Sequence, residues 1–143
     1  MARFSPQGAV LANFLTQGQV CSNAARVFVH RSILPAFRSR LLAAVRLLRV
    51  GDPFEEGTAL GAMISEEHGR RVEQFLESAR EEGAATLLGG ERCVMEGEMG
   101  GGFFLPATVL DDCRDDMRAV REEIFGPVSR LRAPCANGLL LPV

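Results

Sequence analysis

The sequence has no CxxC pair, only two histidines and no large excess of charge of either sign. Each absence closes off a class of function. Cys21, Cys93, Cys113 and Cys135 stand apart from one another, and neither His30 nor His68 completes a zinc-ligand spacing with them, so no metal site is expected. Sixteen Lys and Arg against eighteen Asp and Glu leave a net charge of -2, which offers nucleic acid or an anionic membrane little attraction. No basic stripe interleaved with aromatics redresses that balance. No apolar run is long enough to cross a bilayer, and the N-terminus lacks the basic flank and small-residue cleavage site of a secretory leader. Reduced cysteines and a cytoplasmic location follow as expectations.

What is present is an ordinary composition, 47% hydrophobic and 24% charged, over 143 residues. That length suits one domain with a real core. "GAVLANFLTQG" carries Val10 and Phe14 at helical spacing, with Gly18 as its stop. "RVFVH" reads as a strand. "SILPAFRSRLLAAVRLLRV" sets Ile33, Phe37, Leu41, Leu42, Val45 and Leu48 on one helical face, with Ser32 as candidate N-cap. "GDP" at 51–53 is a turn. "SEEHGRRVEQFLESAREEG" predicts a second amphipathic helix, capped by Ser65, apolar along Val72, Phe75, Leu76 and Ala79, and ended by Gly83. His68 falls on its polar side and reads as solvated.

Beyond that helix, "ATLLGG" is a short strand and "ERCVMEGEMGGG" a Gly-rich excursion. "FFLPATVL" is a strand whose Pro106 suggests an edge or bulge. "DDCRDDMRAVREEIFGPVSRL" is a loop or short helix that breaks at Gly126–Pro127 and leads into a strand. "RAPCANGLLLPV" has no period. Alternating helices and strands predict an α/β class. The pattern opens in mid-helix and closes on a strand with nothing to pair it, as part of a domain would.

The chemistry centres on "FLTQGQVCSNAAR" at 14–26, where Cys21 falls in the connection from helix to strand. The thiolate is the reactive form of cysteine, and free backbone N–H groups in a tight connection both favour it and bind an oxyanion after attack on a carbonyl. Small neighbours at Ser22, Ala24 and Ala25 leave room for a substrate. Taken alone, a single cysteine is more often a small buried hydrophobe.

The wider pattern outweighs that reading. Phe14, Gly18, Gln19 and Cys21 (an aromatic residue, three positions, then Gly-Gln-any-Cys) closely resemble the active-site cysteine motif of the aldehyde dehydrogenase family. "EEIFGPV" at 122–128 resembles a second motif of that family in the expected order, and "VGDP", "GAMIS", "EEGAATLLGG" and "GFFLPATVL" resemble the sequence between them. Within the family, "ANFLTQGQVC", "RVFVH" and "DDCRDDMRAVREEIFGPV" look most like the branch acting on quaternary-ammonium aldehydes such as 4-trimethylaminobutyraldehyde and betaine aldehyde.

The resemblance implies a partial catalytic domain of the three-layer α/β/α type at 8–130. Residues 1–7 form a non-family N-terminus and 131–143 a divergent tail, so the domain is expected to be truncated at both ends. It implies that the Cys21 thiolate attacks an aldehyde to give a thiohemiacetal, that hydride passes to NAD and that water hydrolyses the thioester. It implies that Glu123 hydrogen-bonds the nicotinamide-ribose hydroxyls and that Phe125 packs beside the nicotinamide end, although by spacing alone Glu123 reads as a solvated carboxylate and Phe125 as core. Gly126 and Pro127 are expected to set the turn that aims them. The family's nucleotide loop, its general-base glutamate and its oxyanion-hole asparagine belong to upstream motifs without counterparts here. The expectation is therefore a fragment inactive by itself. The alternative is a non-catalytic fragment that binds full-length homologous subunits.

Overall fold

The computed structural model describes residues 6–133. Helix α1, Pro6–Phe14, passes through a tight non-helical turn, Leu15–Gly18, into the Cys21 connection and strand β1, Arg26–Phe28. Helix α2 is Leu34–Val45, followed by two very short strands, β2 at Arg49–Val50 and β3 at Thr58–Leu60. Helix α3, Glu66–Glu81, leads to β4, Ala85–Leu88, and then β5, Thr108–Asp111. A single helical turn, α4 at Arg118–Arg121, precedes β6, Val128–Arg132.

The main sheet runs β1-β6-β5-β4, with β6 parallel to both β1 and β5 and β4 antiparallel to β5. β6 is thus paired on both edges, which corrects the expectation of an unpaired closing strand. Its partner β1 is the strand just after the Cys21 connection, so the two ends of the pattern close on each other. Strand alternation sends Val109 and Leu131 into a cluster with Phe14, Phe37, Leu41 and Val45 of α1 and α2. Leu110 and Val128 point the other way, toward Val72, Phe75, Leu76 and Ala79 of α3. Helices therefore cover both faces, giving the three-layer α/β architecture expected.

Helix α3 matches its sequence reading closely. The Ser65 hydroxyl accepts from the His68 backbone N–H at 3.1 Å, acidic Glu66 and Glu67 occupy the first turn, and the four predicted apolar residues are buried. The Asp52 carboxylate accepts from the Phe54 N–H at 2.9 Å, closing the turn predicted at "GDP".

Three local expectations are corrected. Ser32 does not cap α2: Ile33 holds the cap position, Pro35 fixes the helix start, and the Ser32 hydroxyl pairs with His30 Nδ1 at 2.8 Å. Ile33 is half-exposed and Leu48 lies beyond the helix end. Pro106 marks neither edge nor bulge, because β5 begins after it and sits in mid-sheet between β4 and β6. The tail 134–143, including Cys135, lies outside the described residues.

Candidate functional site

Cys21 is placed by a sharp backbone reversal. Thr16, Gln17 and Gly18 take φ of 53°, 56° and 66°, three left-handed residues in succession. Left-handed backbone costs about 1–2 kcal/mol for a residue with a Cβ, so Thr16 and Gln17 are strained and need restraint from around them. The restraint comes from the residues that surround the cysteine. The Gln19 side-chain oxygen accepts from the Ile64 N–H at 3.1 Å, and the Asn23 amide donates to the Gly18 carbonyl at 3.1 Å. The Asn23 N–H donates to the Val20 carbonyl at 3.1 Å, and Ala24 N–H to that of Ala12 at 2.9 Å.

Inside this closed loop the Cys21 side chain is exposed and carries a free thiol. Among the described residues its backbone N–H donates to no acceptor. An exposed thiol with an unengaged amide beside it can both attack a carbonyl carbon and receive the oxyanion that results.

The second motif lies against this loop. A Cβ placed on Gly18 would stand 2.2 Å from the Gly126 carbonyl oxygen, so the two backbones touch and only glycine fits between them. A Cβ on Gly126 would stand 2.9 Å from the Val72 side chain of α3. Gly126 is therefore required by close approach to its neighbours. The left-handed turn beside it belongs to Phe125, at φ 56°. This amends the expected role of Gly126 as the residue that bends the chain.

A cavity of 190 Å³ lies between the two segments, lined by Gly18, Val20 and Asn23 from one and Glu122, Glu123 and Phe125 from the other. The structure thus brings the Cys21 loop, Glu123 and Phe125 to one place. Glu123 is exposed and joins no ion pair among the described residues, whereas Glu122 pairs with Arg118 at 3.3 Å. Phe125 is half-buried.

His68 overturns its sequence reading. It is half-buried, and its Nε2 lies 2.7 Å from the Phe125 carbonyl oxygen, which makes the imidazole the donor. Its ring meets that of Phe125 edge-on with centroids 6.0 Å apart. The strained Phe125 turn is thus held from the first turn of α3. No sequence signal shows this, because the partner is a backbone carbonyl 57 residues away.

The other two cysteines whose positions are described differ from Cys21. Burial pushes the Cys93 thiol above its ordinary range. Burial pushes that of Cys113 from 9.0 to about 11, with Arg130 pulling it down and Asp111 and Asp112 adding to the rise. Its Sγ faces the Asp111 carbonyl at 3.7 Å. Between these values the folded chain holds a proton that the unfolded chain releases, so stability falls as pH rises. Urea midpoints at pH 8 and pH 10 should show that fall in the wild type and a smaller one in Cys113→Ala. Equal falls in the two proteins would remove Cys113 as the cause. No group of three metal-ligating side chains occurs among the described residues.

Comparison with known proteins shows the family to which this sequence and fold are similar. Residues 6–132 match the profile of the Aldehyde dehydrogenase family. The chain is 50% identical over 123 residues to 4-trimethylaminobutyraldehyde dehydrogenase A of Danio rerio, covering 85% of this chain and 24% of that protein. It is 48% identical to 4-trimethylaminobutyraldehyde dehydrogenase of Oryzias latipes, with the same coverage. Among solved structures, betaine aldehyde dehydrogenase from Staphylococcus aureus in complex with NAD+ superposes with a TM-score of 0.84 at 34% identity, over 90% of this chain and 25% of that one. The chain therefore spans about a quarter of the length of the proteins it matches.

Proposed function

The chain belongs to the aldehyde dehydrogenase family, and we propose that it carries the nucleophile and the nicotinamide-side residues of an NAD-dependent enzyme that oxidises a quaternary-ammonium aldehyde to its acid. The observation that carries this reading is the backbone contact of Gly18 with Gly126, which joins the Cys21 loop to the Glu123–Phe125 segment. The substrate class rests on the relatives named 4-trimethylaminobutyraldehyde dehydrogenase.

The Cys21 thiolate adds to the aldehyde carbon, forming the carbon–sulfur bond of a thiohemiacetal, and the Cys21 N–H receives the oxyanion. NAD, when bound, supplies the acceptor for the hydride leaving that carbon. The resulting thioester on Cys21 is released as the acid by water. The residues present fit the nicotinamide end of such a cofactor. Glu123 has an exposed carboxylate that joins no ion pair among the described residues, suited to two ribose hydroxyls, and Phe125 lines the same cavity. His68 holds the Phe125 carbonyl and so the direction of that ring.

The reading is tested by alkylating the purified chain with iodoacetamide, folded and in urea, and mapping adducts by mass spectrometry. Exposure alone cannot make a thiol react faster than it does in an unfolded chain. Cys21 should react faster in the folded protein, while Cys93 and Cys113 react more slowly. A folded-state rate for Cys21 at or below the unfolded rate would remove it as an activated nucleophile.

A second reading has its own observation. β1 is an edge strand, and beside it runs an apolar groove of 660 Å³ lined by Ala9, Ala12, Val27, Val29 and Phe37. Phe28 and Ile33 are half-exposed there. An uncovered strand edge with apolar flanks suits docking to full-length subunits of the same family. Co-purification with such a subunit without added turnover favours this reading; failure to associate excludes it. No helix of the described residues is long and apolar enough to cross a membrane, and a cytoplasmic location is part of the proposal.

A further inference from the structure

Arg130, on β6, carries a guanidinium that no sequence pattern marks and that the proposed chemistry does not use. It is 6% exposed and pairs with no carboxylate among the described residues. Its acceptors are backbone carbonyls: Nε donates to Ala25 at 3.2 Å, and Nη1 donates to Ala119 and, at 3.4 Å, to Glu122. The Arg130 backbone N–H also donates to the Ala25 carbonyl, at 2.9 Å. These three carbonyls are not scattered. Ala25 ends the connection that holds Cys21, Ala119 lies in α4, and Glu122 begins the Glu-Glu-Ile-Phe segment.

A buried cation without a counter-ion is unfavourable, since its desolvation must be offset by hydrogen bonds. An apolar side chain would fill the same space at less cost. What the guanidinium adds is geometry, because its planar fork addresses acceptors on separate segments at once. From this we infer that Arg130 is a positioning residue, which straps the Cys21 connection to the Glu122–Phe125 segment and fixes the separation of nucleophile from cofactor-binding carboxylate. The inference rests on the reading of Cys21 and Glu123 given above.

Supporting this, the guanidinium lines the cavity between the two segments. Burial, with Arg26 nearby, lowers its pKa only to about 10, so the strap stays charged near neutral pH. Lysine at this position keeps the charge but concentrates it at one point and cannot span three carbonyls.

The test compares wild type, R130K and R130M as full chains. Hydrogen exchange is followed by mass spectrometry over 19–26, 118–125 and 66–81, and Cys21 alkylation is followed in parallel. Loss of the strap should raise exchange in the first two segments roughly tenfold or more in R130M and less in R130K, with α3 at 66–81 unchanged. Cys21 alkylation should fall toward its unfolded-chain rate in the same order. An equal rise in all three segments would make Arg130 a general stabiliser, and no rise in the first two would remove the strap; either overturns the inference. Should R130M fail to fold, R130K carries the same comparison. Wild-type Cys21 that reacts no faster than in urea, with the segmental exchange pattern intact, would support the strap and refute the nucleophile reading.

Discussion

Gly18→Ala should destabilise the chain by about 3 kcal/mol and slow Cys21 alkylation together. Two costs add at this residue. Its φ of 66° lies in the left-handed region, where a Cβ costs about 1–2 kcal/mol. The new methyl would also stand 2.2 Å from the Gly126 carbonyl oxygen and 3.0 Å from that of Asn13. Backbone on both sides leaves no flexible side chain to swing away, so the Cys21 loop and the Glu123–Phe125 segment must separate. Overpacking of this kind costs typically about 1–3 kcal/mol. Against a domain stability of roughly 5–15 kcal/mol this is a large fraction. Gly8→Ala is the control. It lies in α1 with nothing within 4 Å of a Cβ, and alanine there should gain up to about 1 kcal/mol of helix propensity. Thermal unfolding of both variants, with Cys21 alkylation in each, checks the pair. A Gly18→Ala protein as stable and as reactive as wild type would mean that the two motifs do not bear on each other.

The parts of this fold that can be read from sequence are those whose cause is local. α3 declares itself because Ser65 caps it, Val72, Phe75, Leu76 and Ala79 repeat at the helical period, and Gly83 ends it at φ 96°. β2 and β3 escape because they are short and lack a run of β-branched and aromatic residues such as the "RVFVH" that marks β1. Ser32 misleads because a cap-forming residue has several neighbours to choose from, and His30 wins its hydroxyl. At the site the same division holds. Cys21, Glu123 and Phe125 are visible through the motifs that contain them. What holds them is not: His68 reaches a carbonyl of Phe125, Arg130 reaches three carbonyls, and Gly126 is fixed by contact with Val72. A side chain that grips backbone leaves no complementary residue type for a sequence pattern to record.

The chain by itself should produce no detectable NADH from 4-trimethylaminobutyraldehyde and NAD, yet should acylate Cys21 with an activated ester such as p-nitrophenyl acetate. The two halves of the reaction draw on different residues. Acyl transfer to sulfur needs a nucleophile and an oxyanion donor, and both are supplied by the exposed Cys21 and its unengaged N–H. Oxidation also needs a cofactor held through its full length, and the residues assigned to it here, Glu123 and Phe125, address the nicotinamide end alone. Release of the acid needs a general base, which the family resemblance places outside these residues. A missing base is worth about 10²–10⁴ in rate, and the second oxyanion donor, the asparagine that the resemblance places upstream, about 10²–10³, so turnover should fall by roughly 10⁴ or more even with a cofactor captured. The expected trace is therefore a burst of p-nitrophenol approaching one equivalent, followed by a slow phase, with the acyl group mapped to Cys21. Cys21→Ala should lose the burst and keep its fold, because the side chain is exposed. Steady NADH formation by the chain would show that its residues suffice for the whole reaction. A burst that survives in Cys21→Ala would show that another group does the attacking.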